Sequence, residues 1–185
     1  GSKTFITNGQ HANFVIVVAK TDPSAGSRGV SLFAFETGEV DGYRRGRKLA
    51  KMGLDAQDTS ELFFDDVRLT ADNLLGGAEG MGFVQLMQQL PQERLLVGVQ
   101  AVAMIERALA LTTDYVKDRK AFGKAIIDFQ NTQFTLAEVK TESTIARVFL
   151  DHCIERHVAG GLDSVTASMA KYWLTDLQNT VVDRC

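Results

Sequence analysis

The hydrophobic period of this chain changes once, at a cluster of glycines: Gly76, Gly77, Gly80 and Gly82. Before it, short β-prone runs at residues 4–7, 13–19, 29–35 and 61–64 are separated by turn formers, as at Asp22-Pro23-Ser24-Ala25-Gly26 and Glu39-Val40-Asp41-Gly42. Close spacing and short turns predict antiparallel pairing. After it, apolar residues follow helical spacing. The first helix is expected from residue 83 to about 117, with Leu86, Leu90, Val97, Ala101 and Met104 on one stripe. A second runs from about 132 to 158 and stops at Gly160-Gly161. A third starts at Asp163 or Ser164, either a good N-cap, with the stripe Ala167, Ala170, Leu174, Leu177 and Val181. Three long helices with short connections predict an antiparallel bundle. The expected class is α+β: an antiparallel β segment in residues 1–75, then a helical bundle in 76–185. Strand character begins by residue 4 and the third helix reaches Cys185 without a stop signal, so both ends read as truncated.

Composition excludes several function classes. Net charge is -3 over 185 residues, so no basic field points to nucleic acid. No apolar run approaches the roughly 18–20 residues of a bilayer span, so no span is expected. The two cysteines, Cys153 and Cys185, and the three histidines, His11, His152 and His157, lack metal-ligand spacing, so no metal role is expected.

One residue stands out chemically. Glu93 follows Leu90 by three positions and precedes Val97 by four, which places a carboxylate within the apolar stripe of the first helix. Loss of hydration there would make it a stronger proton acceptor and a candidate general base. The same position also suits a buried ion pair, with the adjacent Arg94 or with an Arg or Lys from another helix, or the edge of a wider stripe. Pro91, two residues earlier, removes one helix N–H and predicts a kink nearby.

Several segments carry a resemblance. Phe5-Ile6-Thr7-Asn8-Gly9 resembles the aromatic-Ile-Thr-Asn-Gly strand and turn of acyl-CoA dehydrogenases. Arg119-Lys120-Ala121-Phe122-Gly123, followed by Gln130, resembles their Arg-x-x-Phe-Gly…Gln element. Leu90-Pro91-Gln92-Glu93-Arg94-Leu95 is similar to the long-chain and isovaleryl types, which carry their base on this helix. Met52-Gly53-Leu54 and Phe63-Phe64-Asp65-Asp66-Val67 fit the stretch between. The set spans essentially the whole chain, as an internal fragment. Residues 1–75 would be the second part of a β-barrel-like middle domain, and 76–185 the first three helices of the C-terminal helical domain.

The resemblance implies FAD lying between those domains. Thr7 would hydrogen-bond the flavin near N5, with Phe5 beside the ring and Ile6 between them. Arg119, assisted by Gln130, would bind the FAD pyrophosphate of a neighbouring subunit, a task suited to a planar guanidinium fork. Pro91, Gln92 and Arg94 would line the acyl thioester site, and Ala12 and Asn13 would meet the CoA arm. Glu93 would take the α-proton of an acyl-CoA while hydride passes to flavin N5, giving a trans-2-enoyl-CoA. Implied partners are a second copy, as homodimer or homotetramer, and an electron-transferring flavoprotein. A bacterial cytoplasm or a mitochondrial matrix would suit such a protein. An acyl-CoA oxidase or flavin monooxygenase on the same fold, or a non-catalytic helical assembly fragment, are the alternatives.

Overall fold

The computed structural model describes all 185 residues, in two compact units: Gly1–Leu86 and Met87–Cys185. The first unit holds five strands: β1 (Ser2–Thr7), β2 (Phe14–Lys20), β3 (Val30–Glu36), β4 (Tyr43–Lys48) and β5 (Thr59–Phe64). All pair antiparallel, in a three-stranded sheet ordered β1-β5-β4 and a two-stranded β2-β3 ribbon. The β2-β3 register is unbroken from Phe14↔Glu36 to Lys20↔Val30. By contrast, β5 pairs irregularly on both sides: its register shifts opposite Lys3/Ile6 of β1 and opposite Arg45/Lys48 of β4. Leu32, Phe35 and Leu62 are buried here, and Tyr43 stands edge-on to Phe35 and Phe64 with ring centroids 6.0 and 5.6 Å away.

The unexpected strand is β4. Its sequence, Tyr-Arg-Arg-Gly-Arg-Lys, has little apolar alternation and reads as solvated surface. It forms because it is an edge strand, where only one side must pair and charged side chains are favoured. Gly46 is required there: a Cβ would lie 2.5 Å from the Phe63 ring.

The second unit is helical. Helix α1 (Gly82–Asp118) enters it from the first; α2 (Gln130–Val158) and α3 (Ser164–Arg184) follow. A short hairpin, β6 (Lys120–Ala121) with β7 (Lys124–Ala125), joins α1 to α2. The core includes Val102 and Ile105 of α1, Val139, Leu150 and Cys153 of α2, and Leu174 of α3. The expected α3 stripe is met at every position: Ala167, Ala170, Leu174, Leu177 and Val181 are all buried.

The α1 stripe requires correction. Of its five expected members only Ala101 is buried, while Leu86, Val97 and Met104 are exposed. The packed face is instead Leu95, Gly98, Ala101, Val102 and Ile105. Small residues decide it, since a Cβ on Gly98 would lie 3.1 Å from Leu174 Cδ1, so Gly98 lets α3 approach closely. Contrary to the sequence expectation, α1 is also long and apolar enough to cross a bilayer by length and composition. That is a weak indication, because the core helix of a soluble protein passes the same test. Pro91 lies inside α1, which continues through it as one element.

Candidate active site

The end of β1 is built from unusual backbone. Phe5 and Asn8 both have left-handed φ, 61° and 62°, on either side of Ile6 and Thr7. Asn tolerates this conformation, but for Phe it costs energy that the surroundings must offset, a pattern that concentrates at functional sites. The result turns Phe5 outward, 76% exposed, with Thr7 also exposed and Ile6 half-buried. Thr7 pairs with Thr59 at the start of β5. The next turn packs inward: Gly9 is buried, with Ser60 Cβ 3.2 Å from where its own Cβ would be.

Asp58, which the sequence did not single out, anchors this turn. It is 3% exposed. Its carboxylate Oδ2 accepts from the Gln10 N–H and the Ser60 hydroxyl, each at 2.9 Å, and its carbonyl accepts from Asn8 N–H at 2.9 Å. The Gln10 N–H holds the carboxyl below the usual aspartate range; burial opposes this and the Ser60 hydroxyl adds to it. Ala12 and Asn13 follow the same turn. Ala12 N–H donates to Asn8 O at 2.9 Å, Arg45 donates to Ala12 O at 2.8 Å, and Asn13 O accepts from Thr37 N–H at 2.8 Å. Their backbones are thus fixed, with Ala12 half-buried and Asn13 exposed.

Glu93 lies in the second unit. It lines an open cleft of about 440 Å3 between α1 and α3, with Leu90, Arg94, Val97, Ser168 and Lys171. The burial expected from its spacing is absent, and Glu93 is exposed within this chain. The cause is the rotated packing face of α1, which leaves the Leu90–Val97 side open. The ion-pair alternative is not realised with its neighbour: Arg94 turns to α3 and donates to Ser168 Oγ at 2.9 Å and Ser164 Oγ at 3.4 Å. Pro91 is half-buried and Gln92 exposed beside it. Ser168 and Lys171 were missed in the sequence because α3 contributes them from far along the chain, and no local motif joins them to Glu93.

Arg119 and Gln130 flank the β6-β7 hairpin. Phe122 and Gly123 form its two-residue turn, with φ of 51° and 82°, the geometry of a primed hairpin turn. Ile126 N–H donates to Arg119 O at 2.8 Å, which brings the 3-10 turn Ile126–Asp128, just ahead of α2, back to Arg119. Both Arg119 and Gln130 are exposed, and no side chain caps the α2 N-terminus at Phe129. An exposed guanidinium near free helix N–H groups suits a phosphate.

The chain matches two family profiles: acyl-CoA dehydrogenase, middle domain, over residues 1–67, and acyl-CoA dehydrogenase, C-terminal domain, over residues 80–185. It is 52% identical to the long-chain specific acyl-CoA dehydrogenase, mitochondrial, of Rattus norvegicus, over 100% of this chain and 43% of that protein. It superposes on the crystal structure of an acyl-CoA dehydrogenase from Geobacillus kaustophilus with a TM-score of 0.94 and 50% identity, covering 98% of this chain and 48% of that one. A glutaryl-CoA dehydrogenase from Mycobacterium smegmatis, solved in complex with FADH2, gives a TM-score of 0.90 at 28% identity, over 100% of this chain and 46% of that one. The chain therefore spans less than half the length of these relatives. One profile accounts for its β unit and the other for its helices, and the chain belongs to the acyl-CoA dehydrogenase family.

Proposed function

We propose that this chain forms part of an FAD-dependent acyl-CoA dehydrogenase that converts an acyl-CoA thioester to its trans-2-enoyl-CoA, with Glu93 as the general base. Within that protein, residues 1–75 would be the second part of the middle β-domain and 76–185 the first three helices of the C-terminal domain. The observation that carries the reading is the α1–α3 cleft, where Glu93 presents a free carboxylate between the apolar side chains of Leu90 and Val97. A thioester chain would lie against those side chains, and the carboxylate would accept the proton from the α-carbon. Arg94, held by Ser164 and Ser168, fixes the cleft wall beside the base.

Bound FAD would supply the acceptor for the β-hydrogen, which leaves with its electron pair. The residues present fit that cofactor. Phe5 offers an exposed aromatic face and Thr7 an exposed hydroxyl at a rigid strand end. Arg119 and Gln130, beside an uncapped helix N-terminus, suit its pyrophosphate, with a second copy in a homodimer or homotetramer completing the site. An electron-transferring flavoprotein would take the electrons onward.

The test is Glu93→Gln in the full-length enzyme. Anaerobic mixing with acyl-CoA should bleach the flavin roughly 10²–10⁴-fold more slowly than in wild type, the usual worth of a positioned base. Bleaching at the wild-type rate would remove Glu93 from the base role.

A further inference from the structure

We propose that Asp58 is a positioning residue for the reaction: its buried carboxylate and its carbonyl together hold the turn that follows Thr7, so that Thr7, between the left-handed Phe5 and Asn8, holds one orientation. This rests on the reading of Thr7 as a flavin contact.

Three observations converge on it. First, the β1-β5 ladder is irregular where it is needed, with its register shifted between Lys3 and Ile6. Ladder hydrogen bonds alone do not fix the segment, which contains two residues at positive φ. Second, Asp58 immediately precedes Thr59, the partner of Thr7, and grips the chain just beyond Thr7 at two points. Its carbonyl takes the Asn8 N–H and its Oδ2 takes the Gln10 N–H, both at 2.9 Å. Third, the grip is itself braced. Ser60, buried on the same strand, donates to Oδ2 at 2.9 Å, and Gln10 Nε2 donates to Gly46 O of β4 at 2.9 Å.

A carboxylate is an unusual choice for a purely structural role here. Its second oxygen, Oδ1, is buried without a partner, and His11 Nε2 stands 3.9 Å away, too far for a hydrogen bond. A buried unsatisfied oxygen is a cost. What the group contributes in return is one oxygen that accepts from both the Gln10 N–H and the Ser60 hydroxyl, and hence a stiffer turn.

The test compares Asp58→Asn, which keeps an acceptor oxygen, with Asp58→Leu, which keeps only the shape. In the full-length enzyme stripped of flavin, amide hydrogen exchange at Gln10 should accelerate about tenfold or more in D58L, and by much less in D58N. In the full-length FAD enzyme, D58L should slow anaerobic bleaching by roughly ten- to a hundredfold with little change in KM. It should also alter the visible flavin band, and D58N should recover most of both. Thr7→Val serves as the reporter of the underlying reading. If T7V leaves the flavin band and bleaching unchanged, the Thr7 assignment fails, whatever Asp58 does to exchange. If T7V changes them while D58L does not, or if D58N is as impaired as D58L, the positioning role is overturned. Should D58L give no folded protein, Ser60→Ala replaces it: exchange at Gln10 faster by about threefold is expected, and unchanged exchange refutes the brace.

Discussion

At the scale of single residues, burial and chemistry part company. Leu174 is the side chain the sequence read most easily. It sits mid-stripe on α3, is completely buried, and meets α1 at Gly98, which has no side chain of its own. Leu174→Ala should cost about 2–5 kcal/mol, because α3 already lies as close to α1 as Gly98 permits and cannot collapse into the void. Urea unfolding followed by Trp173 fluorescence would measure it, since this is the only tryptophan and it packs edge-on to Phe149 at 6.1 Å. Glu93 is the opposite case. Its spacing predicts burial and the resemblance of Pro91–Arg94 implies a base, yet its carboxylate is exposed, and its environment comes from the cleft shared with α3. Spacing along one helix could mark the residue as anomalous. It could not say which face of α1 packs, because Leu, Val, Ala and Met occur all round the helix between residues 95 and 105. Asp58 was illegible for a related reason: an aspartate between a loop and a strand looks solvated until the turn at Asn8–Gln10 closes over it.

At the scale of elements, signals that act locally were legible and those that depend on a partner were not. Asp163 announced the start of α3 and performs as an N-cap, accepting from Val165 and Thr166 N–H at 2.9 Å each. Bonds from the Thr166 hydroxyl and backbone hold its carboxyl below the ordinary value of 3.8. A group whose pKa is depressed on folding stabilises the fold above its unfolded value and loses that contribution as pH falls through the folded one. Asp163→Ala should therefore lower the thermal midpoint at pH 7. The gap to wild type should narrow as the pH drops below about 3.8 towards the folded pKa. Circular dichroism melts of both proteins across that range would show it; a gap that stays constant with pH would mean the charge is not what caps the helix. β4 was missed because its stability comes from pairing with β5, and its own sequence supplies only charge and one obligatory glycine.

At the scale of the whole molecule, the helical unit leaves more apolar surface open than its own packing requires. On α2, Ile145 and Val148 are 54% and 67% exposed and, with Thr144, Phe149 and His152, line an open hollow of about 510 Å3. Val165, Met169 and Tyr172 of α3 are exposed as well. Isolated apolar side chains on a surface need no explanation, but a contiguous patch marks a place where another surface sits. Self-association in the full-length protein is the occupant that would match the proposed sharing of a cofactor site between copies. Replacing Ile145 and Val148 together by Asp should then move the sedimentation profile towards smaller species. Helical content should be retained, because more than half of each side chain already lies outside the core. The buried neighbours Leu150 and Cys153 point away from that face and would keep the α2 packing intact. An unchanged sedimentation profile would assign the hollow to a neighbour other than a second copy. If instead helical content collapsed, Ile145 and Val148 would belong to the folding core of the bundle, and the exposed face of α2 would have to be sought elsewhere on the helix.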